Sequence, residues 1–212
     1  MLLIDWGGSA AVAHPSEEVR HYREVTGSSV KNVKWCLEKG DEYKLSSTTS
    51  HEQHVTTVGT DYDTSRWRVR AHAGNTDFSA ERNGNTIFLR GLFKGKALEK
   101  TLPIDGAPWY QATSLSLRHL AASSSDQQVF WTIRYDTLNA HKVKAIKKGI
   151  ETIESADGDK AMLRIRLTLT GPLAFFWQSN YWFSLPECVF YRFEGPSGPP
   201  GSPMTIITRV GS

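Results

Sequence analysis

The stretch Lys160–Glu194, KAMLRIRLTLTGPLAFFWQSNYWFSLPECVFYRFE, decides how the chain is read, because aromatic and β-branched residues are concentrated there. From Met162 to Thr170 the residues alternate strictly. Leu163, Ile165, Leu167 and Leu169 fall on one side, and Arg164, Arg166, Thr168 and Thr170 on the other. Successive side chains of a strand point to opposite faces, so a period of two predicts a strand with one buried face. Gly171-Pro172 ends that run, since proline cannot donate to a ladder and glycine accepts turn dihedrals. Leu173–Trp177 and Tyr181-Trp182-Phe183 then place large rings on both faces. Packed core is the ordinary use of such a run; lining a pocket or forming a partner patch is the less common one. After Pro186, Cys188–Glu194 resumes the alternation, with Val189, Tyr191 and Phe193 opposite Phe190, Arg192 and Glu194. Three strands joined by short breaks predict an antiparallel meander.

The same pattern runs outward from this stretch. Val19–Thr26 and Val30–Glu38 read as strands around Gly27-Ser28-Ser29, and Lys39-Gly40-Asp41 reverses the chain into Glu42–Thr49 and Gln53–Val58. Arg66–His72 sends Trp67, Val69 and Ala71 inward and its arginines outward. Thr76–Glu81 and Thr86–Phe93 flank Asn83-Gly84, whose composition suits the left-handed dihedrals of a type I′ turn. Ala97–Leu102 follows and Pro103 ends it. Gln128–Thr137 alternates Val129, Trp131, Ile133 and Tyr135 with Phe130, Thr132 and Arg134. Ala140–Lys147 and Gly149–Ser155 read as two strands, Ala156–Asp159 as a hairpin turn, and Met204–Val210 as a last strand after a loop rich in proline and glycine. The exception is Thr113–Ala122, TSLSLRHLAA, which predicts one short helix with Thr113 or Ser114 as its N-cap, covering one end of a curved sheet.

A chain of 212 residues with 39% hydrophobic and 22% charged residues is expected to form one globular domain. Residues 1–18 read as a flexible arm and 19–212 as a single antiparallel β domain. The predicted class is mostly β: a single strongly bent antiparallel sheet, or a partly open β-barrel, with one short helix. No apolar run is long enough to span a bilayer. The formal charge of +3, evenly mixed in sign, argues against a nucleic-acid partner. Lys142, Lys144, Lys147 and Lys148 form the one basic cluster and read as the solvated side of a strand. Met1–Trp6 holds only a brief apolar run and an early acid, unlike a signal peptide, so the protein is expected to be cytoplasmic unless a leader was removed ahead of it.

Chemical motifs are absent. His51 and His54 stand three apart in a β context, which sends them to opposite faces, unlike paired metal ligands on a helix. Asp157-Gly158-Asp159 lacks the bidentate acid that a calcium loop requires. Cys36 and Cys188 lack the spacing of a zinc site, and one bridge between them is open if the protein is exported. No nucleophile elbow, phosphate loop or zinc-binding helix is present. No cofactor is implied, and an enzymatic role is not indicated.

The order of elements resembles that of a bacterial family. A β-hairpin start, a helix soon after Pro108-Trp109-Tyr110, a strand pair around Val143–Ile146, and the closing Leu163–Leu167, Phe176–Phe183 and Val189–Gly195 segments are similar to domain-of-unknown-function family 3108. The similarity covers about Val19 to Val210. Its members are mostly exported and resemble the curved-sheet lipoprotein carriers of the periplasm, so the resemblance implies a periplasmic or envelope location once a leader is removed. The family brings no catalytic residue.

Two functions follow as expectations. A bent sheet of this size can enclose a cavity for an apolar small molecule or lipid, with Trp109, Trp131, Phe175, Trp177, Tyr181 and Phe183 as its lining. Alternatively the sheet is a scaffolding domain that binds a protein partner through an aromatic face, with Phe176 and Trp182 exposed for it, or through an unpaired edge.

Overall fold

The computed structural model describes residues 16–154, 158–171, 177–198 and 201–211. Their elements are β1 (Ser16–Thr26), β2 (Ser29–Lys39), β3 (Tyr43–Thr48), β4 (Glu52–Val58), β5 (Thr64–Ala71), β6 (Thr76–Asn83), β7 (Thr86–Phe93), β8 (Lys96–Pro103), α1 (Thr113–Ala122), β9 (Gln127–Arg134), β10 (Asn139–Ile153), β11 (Lys160–Leu169), β12 (Gln178–Ser184), β13 (Phe190–Pro196) and β14 (Met204–Val210). Each strand from β1 to β8, and from β9 to β14, pairs antiparallel with its neighbour in the chain. β1 and β14 join the two meanders, with His21 opposite Val210 and Thr26 opposite Thr205. The result is one fourteen-stranded sheet that ends at β8 on one side and β9 on the other and does not close into a barrel.

The bend folds this sheet around two cores. The first takes Trp35, Leu37 and Leu45 from β2 and β3, Phe130, Val143, Ile165 and Phe183 from β9 to β12, and Leu115, Leu117 and Leu120 from α1. In the second, Trp67, Val69, Phe78, Ile87 and Leu89 from β5 to β7 pack against Trp109, Ile133 and Leu138. β9 serves both: Phe130 lies in the first core and Ile133 in the second. They stand three positions apart, so on a strand they point to opposite faces.

The free edge of β9 is satisfied by a short connecting peptide, Pro108–Gln111. Trp131 donates its amide to the Pro108 carbonyl and Tyr110 donates to the Trp131 carbonyl, each at 2.8 Å. The Gln111 side chain continues the ladder: its Nε2 donates to the Ile133 carbonyl, and its Oε1 accepts from the Ile133 amide, both at 3.0 Å. On the other side of this peptide Thr64 donates its amide to the Trp109 carbonyl at 2.7 Å, and Trp109 donates to Asp63 Oδ1 at 2.7 Å. A buried edge would otherwise leave unpaired backbone groups, which are costly.

Several local expectations are corrected. Ala140 to Ser155 is not two strands: β10 runs unbroken from Asn139 to Ile153, with a bulge at Lys147/Gly149 where Gly149 takes φ +101°. A register shift also occurs where Phe183 pairs with Phe190 and Trp182 with Arg192, skipping Tyr191. That bulge turns both Phe190 and Phe193 toward the first core and leaves Tyr191 with Met162 and Trp182 in a small separate cluster, against the simple alternation expected there. Trp182, expected to be exposed, is 5% exposed and donates its indole to Glu151 at 3.1 Å. The helix spans the expected residues, but its N-cap is Ala112 and no side chain caps it. The Thr113 hydroxyl instead shares a 2.8 Å hydrogen bond with that of Tyr181. Gly91 on β7 was not singled out from sequence. It holds φ +134°, and a Cβ there would lie 2.3 Å from the Asp77 carbonyl oxygen, so only glycine fits.

Candidate functional site

A cavity of about 300 Å³ lies inside the bend, beside the first core. One wall is the inward face of β1 to β5, carrying Tyr22, Val33, Trp35, Leu45 and Trp67. The facing wall comes from β12 to β14, with Tyr181, Phe190, Phe193 and Ile207. Residues Gln111–Ser114, at the start of α1, close one side. Polar groups interrupt these walls at Glu24, Ser47, Thr49, Glu52, His54 and Thr56. Alternation explains why they face inward: Glu24 follows Tyr22 by two on β1, and Glu52, His54 and Thr56 share one face of β4.

The aromatic wall is continuous. Tyr181 sits 4.9 Å from Phe193 and 5.9 Å from Phe190 between ring centroids, and Phe190 lies 5.2 Å from Tyr22. Tyr22 donates its hydroxyl to the Phe190 carbonyl at 3.0 Å, tying β1 to β13 across the sheet. Burial pushes the phenols of Tyr22 and Tyr181 up to about 12. His54 stacks on Trp67 at 5.9 Å and meets Tyr135 edge-on at 5.2 Å, with its Nε2 3.6 Å from Glu52. The neighbouring imidazole holds the Glu52 carboxyl below its ordinary value, against the opposing effect of burial.

Beyond the cavity the interior of β1 turns ionic. Glu18 contacts Arg20 at 2.6 Å, Lys39 at 3.1 Å and Arg118 at 3.3 Å. Burial pushes its carboxyl up, but Arg118, Lys39 and Arg20 together outweigh that and lower it. The Arg118 guanidinium also lies 5.5 Å above the Trp35 ring. The buried cation of α1 is thus paired with an acid of β1.

The residues expected from sequence to line a pocket are dispersed. Tyr181 reaches the cavity. Phe183 is fully buried in the first core, and Trp177 packs at its margin. Trp109 is fully buried in the second core, where Trp131 packs against it and donates its indole to Asp105 at 2.8 Å. Phe175 lies outside the described residues. Both thiols are free: Cys36 donates to Glu17 Oε1 at 3.0 Å, while Cys188 sits 3.4 Å from the Pro186 carbonyl. Of the lining residues missed from sequence, Trp35, Leu45 and Trp67 carried an inward-facing signal by alternation, whereas Tyr22 shares its face with Arg20 and Glu24, and Phe190 with Arg192 and Glu194. What was missing was which inward faces meet across a gap. Among the described residues no group of histidine, cysteine and acidic side chains could hold a metal, and no helix is long and apolar enough to cross a membrane.

This arrangement, an antiparallel sheet rolled toward a barrel but left open, with one helix against its inner face, defines a β-barrel-like class. A solved structure of that class is the beta-barrel-like protein of domain-of-unknown-function family 1849 from Brucella abortus. It superposes with a TM-score of 0.60 over 93% of this chain and 96% of its own, at 9% identity. At that identity the likeness shows the fold alone. The hypothetical lipoprotein YmcC from Escherichia coli matches 95% of this chain and 90% of its own at 11% identity with a TM-score of 0.42. A LolA superfamily protein from Nitrosomonas europaea matches 94% and 86% at 9% identity with a TM-score of 0.29. No family model matches the chain, and no curated protein matches it. Family 3108 itself is therefore not confirmed, and the neighbour that shares the fold carries a different family number.

Proposed function

We propose that the protein binds or carries an apolar small molecule or lipid in the cavity between β1–β5 and β12–β14. The observation that carries this reading is an aromatic and aliphatic wall around about 300 Å³ of space, at the lower end of the range of roughly 300–1,000 Å³ typical of ligand pockets. A packed core fills such space with side chains, because an apolar void forfeits dispersion contacts on its lining. Tyr22, Trp35, Leu45, Tyr181, Phe190 and Phe193 form the binding wall, of which Tyr181 is also among the six residues expected from sequence. An envelope location belongs to the same proposal.

Native mass spectrometry of the purified protein, followed by organic extraction, tests it. A reproducible added mass that extracts as lipid is expected, and Leu45→Trp, which fills the cavity, is expected to remove it. A bare protein that gains no mass on incubation with apolar ligands overturns the reading.

A further inference from the structure

The charges on the cavity wall are one-sided. Glu24 and Glu52 both line it, and among the described residues no lysine or arginine does. Lys31 stands opposite Glu24 on β2, but its ammonium is 3.9 Å away and its side chain is 46% exposed. An exposed pair of that length contributes little and leaves the carboxylate available. His54 is the other basic group on the wall, already engaged by Glu52 at 3.6 Å. The start of α1 supplies an opposing field, equivalent to about half a positive charge for a helix terminus. Two full carboxylates outweigh it. The same wall carries the rings of Tyr22, Trp67, Tyr181 and Phe193, and an aromatic face attracts cations and not anions.

We infer that the cavity selects amphiphiles with an apolar body and a cationic, ammonium-type polar end, and rejects chains ending in a carboxylate. This rests on the cavity being a binding site, as proposed above. An anionic end group placed on this wall would lose water and meet like charge, whereas an ammonium group would exchange its hydration for carboxylates and ring faces. Glu52 is held ionised at neutral pH by its histidine neighbour, so the discrimination is present under ordinary conditions.

The experiment is competition on the full chain against a neutral fluorescent probe, N-phenyl-1-naphthylamine, at neutral pH and low salt. Decylamine, decanol and decanoate share one chain and differ only in the end group. Decylamine is expected to displace the probe at a concentration at least about tenfold below decanoate, a ratio equal to about 1.4 kcal/mol, with decanol between them. In E24Q/E52Q, whose side chains keep their shape, the amine-to-carboxylate ratio is expected to fall toward one. Decanoate competing as well as decylamine in the native chain overturns the inference while leaving the cavity reading intact, and so does a preference that survives in E24Q/E52Q. A probe that does not bind at all, or that L45W fails to exclude, overturns the cavity reading and the inference with it.

Discussion

In the second core, β5 to β7 meet Trp109, Ile133 and Leu138 across side chains that are almost fully buried, whereas β1 to β4 face β12 to β14 across a space that the start of α1 only partly fills. Both regions are built from period-two strands of similar composition. The difference lies in what stands opposite. The second core receives the outward side of β9 and the connecting peptide Pro108–Gln111, which bring two tryptophans to it. The first receives a helix whose leucines fill one part and whose opening residues, Gln111–Ser114, only rim the rest. Of the second core's residues, only Trp67 reaches the cavity. A sheet face becomes solid or hollow according to the volume of its partner, and its own alternation does not decide which.

Paired truncations put this contrast at risk most directly. Leu89→Ala in the solid core is expected to cost about 3–4 kcal/mol, and Leu45→Ala, whose side chain already borders a void, about 2 kcal/mol. Urea unfolding midpoints read both, and equal losses would mean that the two regions are packed alike. Next in size is Asp63→Ala. Asp63 accepts from the Trp109 amide and pairs with Arg82 at 2.7 Å, so its removal leaves two partly buried donors without an acceptor. A loss of about 2 kcal/mol is expected, with faster hydrogen exchange at the Trp109 and Tyr110 amides. Unchanged exchange there would show that the connecting peptide is held by β9 alone.

The smallest effect concerns pH. Tyr22, Tyr110 and Tyr181 have phenols raised by burial to about 12, above the ordinary value near 10. The folded value exceeds the unfolded one, so this contribution to stability is complete below about pH 10 and is lost as pH rises toward 12. Ultraviolet titration should show these three ionising last. Tyr110 belongs to the first core without lining the cavity, while Tyr22 and Tyr181 line it. Early ionisation of those two, with Tyr110 still late, would mark the cavity as water-filled.

The fold was legible where a single strand carried its own evidence. Leu163, Ile165 and Leu167 are buried as their alternation requires, Asn83-Gly84 turns β6 into β7, and α1 occupies the expected ten residues. Legibility failed where two distant segments decide the outcome. The bulge that skips Tyr191 depends on β12, and the N-cap hydroxyl of Thr113 is diverted to Tyr181, 68 residues away. The cavity failed for the same reason. Trp109 and Trp131 are as aromatic as Trp35 and Trp67, and only the tertiary overlap of β9 with β5–β7 sends the first two away from the space. Aromatic density along the chain therefore marked core in general and could not separate lining from filling.

The pairing of β1 with β14 has a consequence for how the molecule assembles. Every other ladder among the described residues joins strands adjacent in the chain. Neighbouring hairpins form early because little chain must be closed to make them. Two independent sheets, β1–β8 and β9–β14, can thus grow from the two halves of the chain, and the final strand then zips them into one. The cavity, whose walls are divided between those halves, comes into being only at that last step. Up to then neither half offers a ligand more than an open, curved surface, so a bound molecule would favour the completed union over the separate halves.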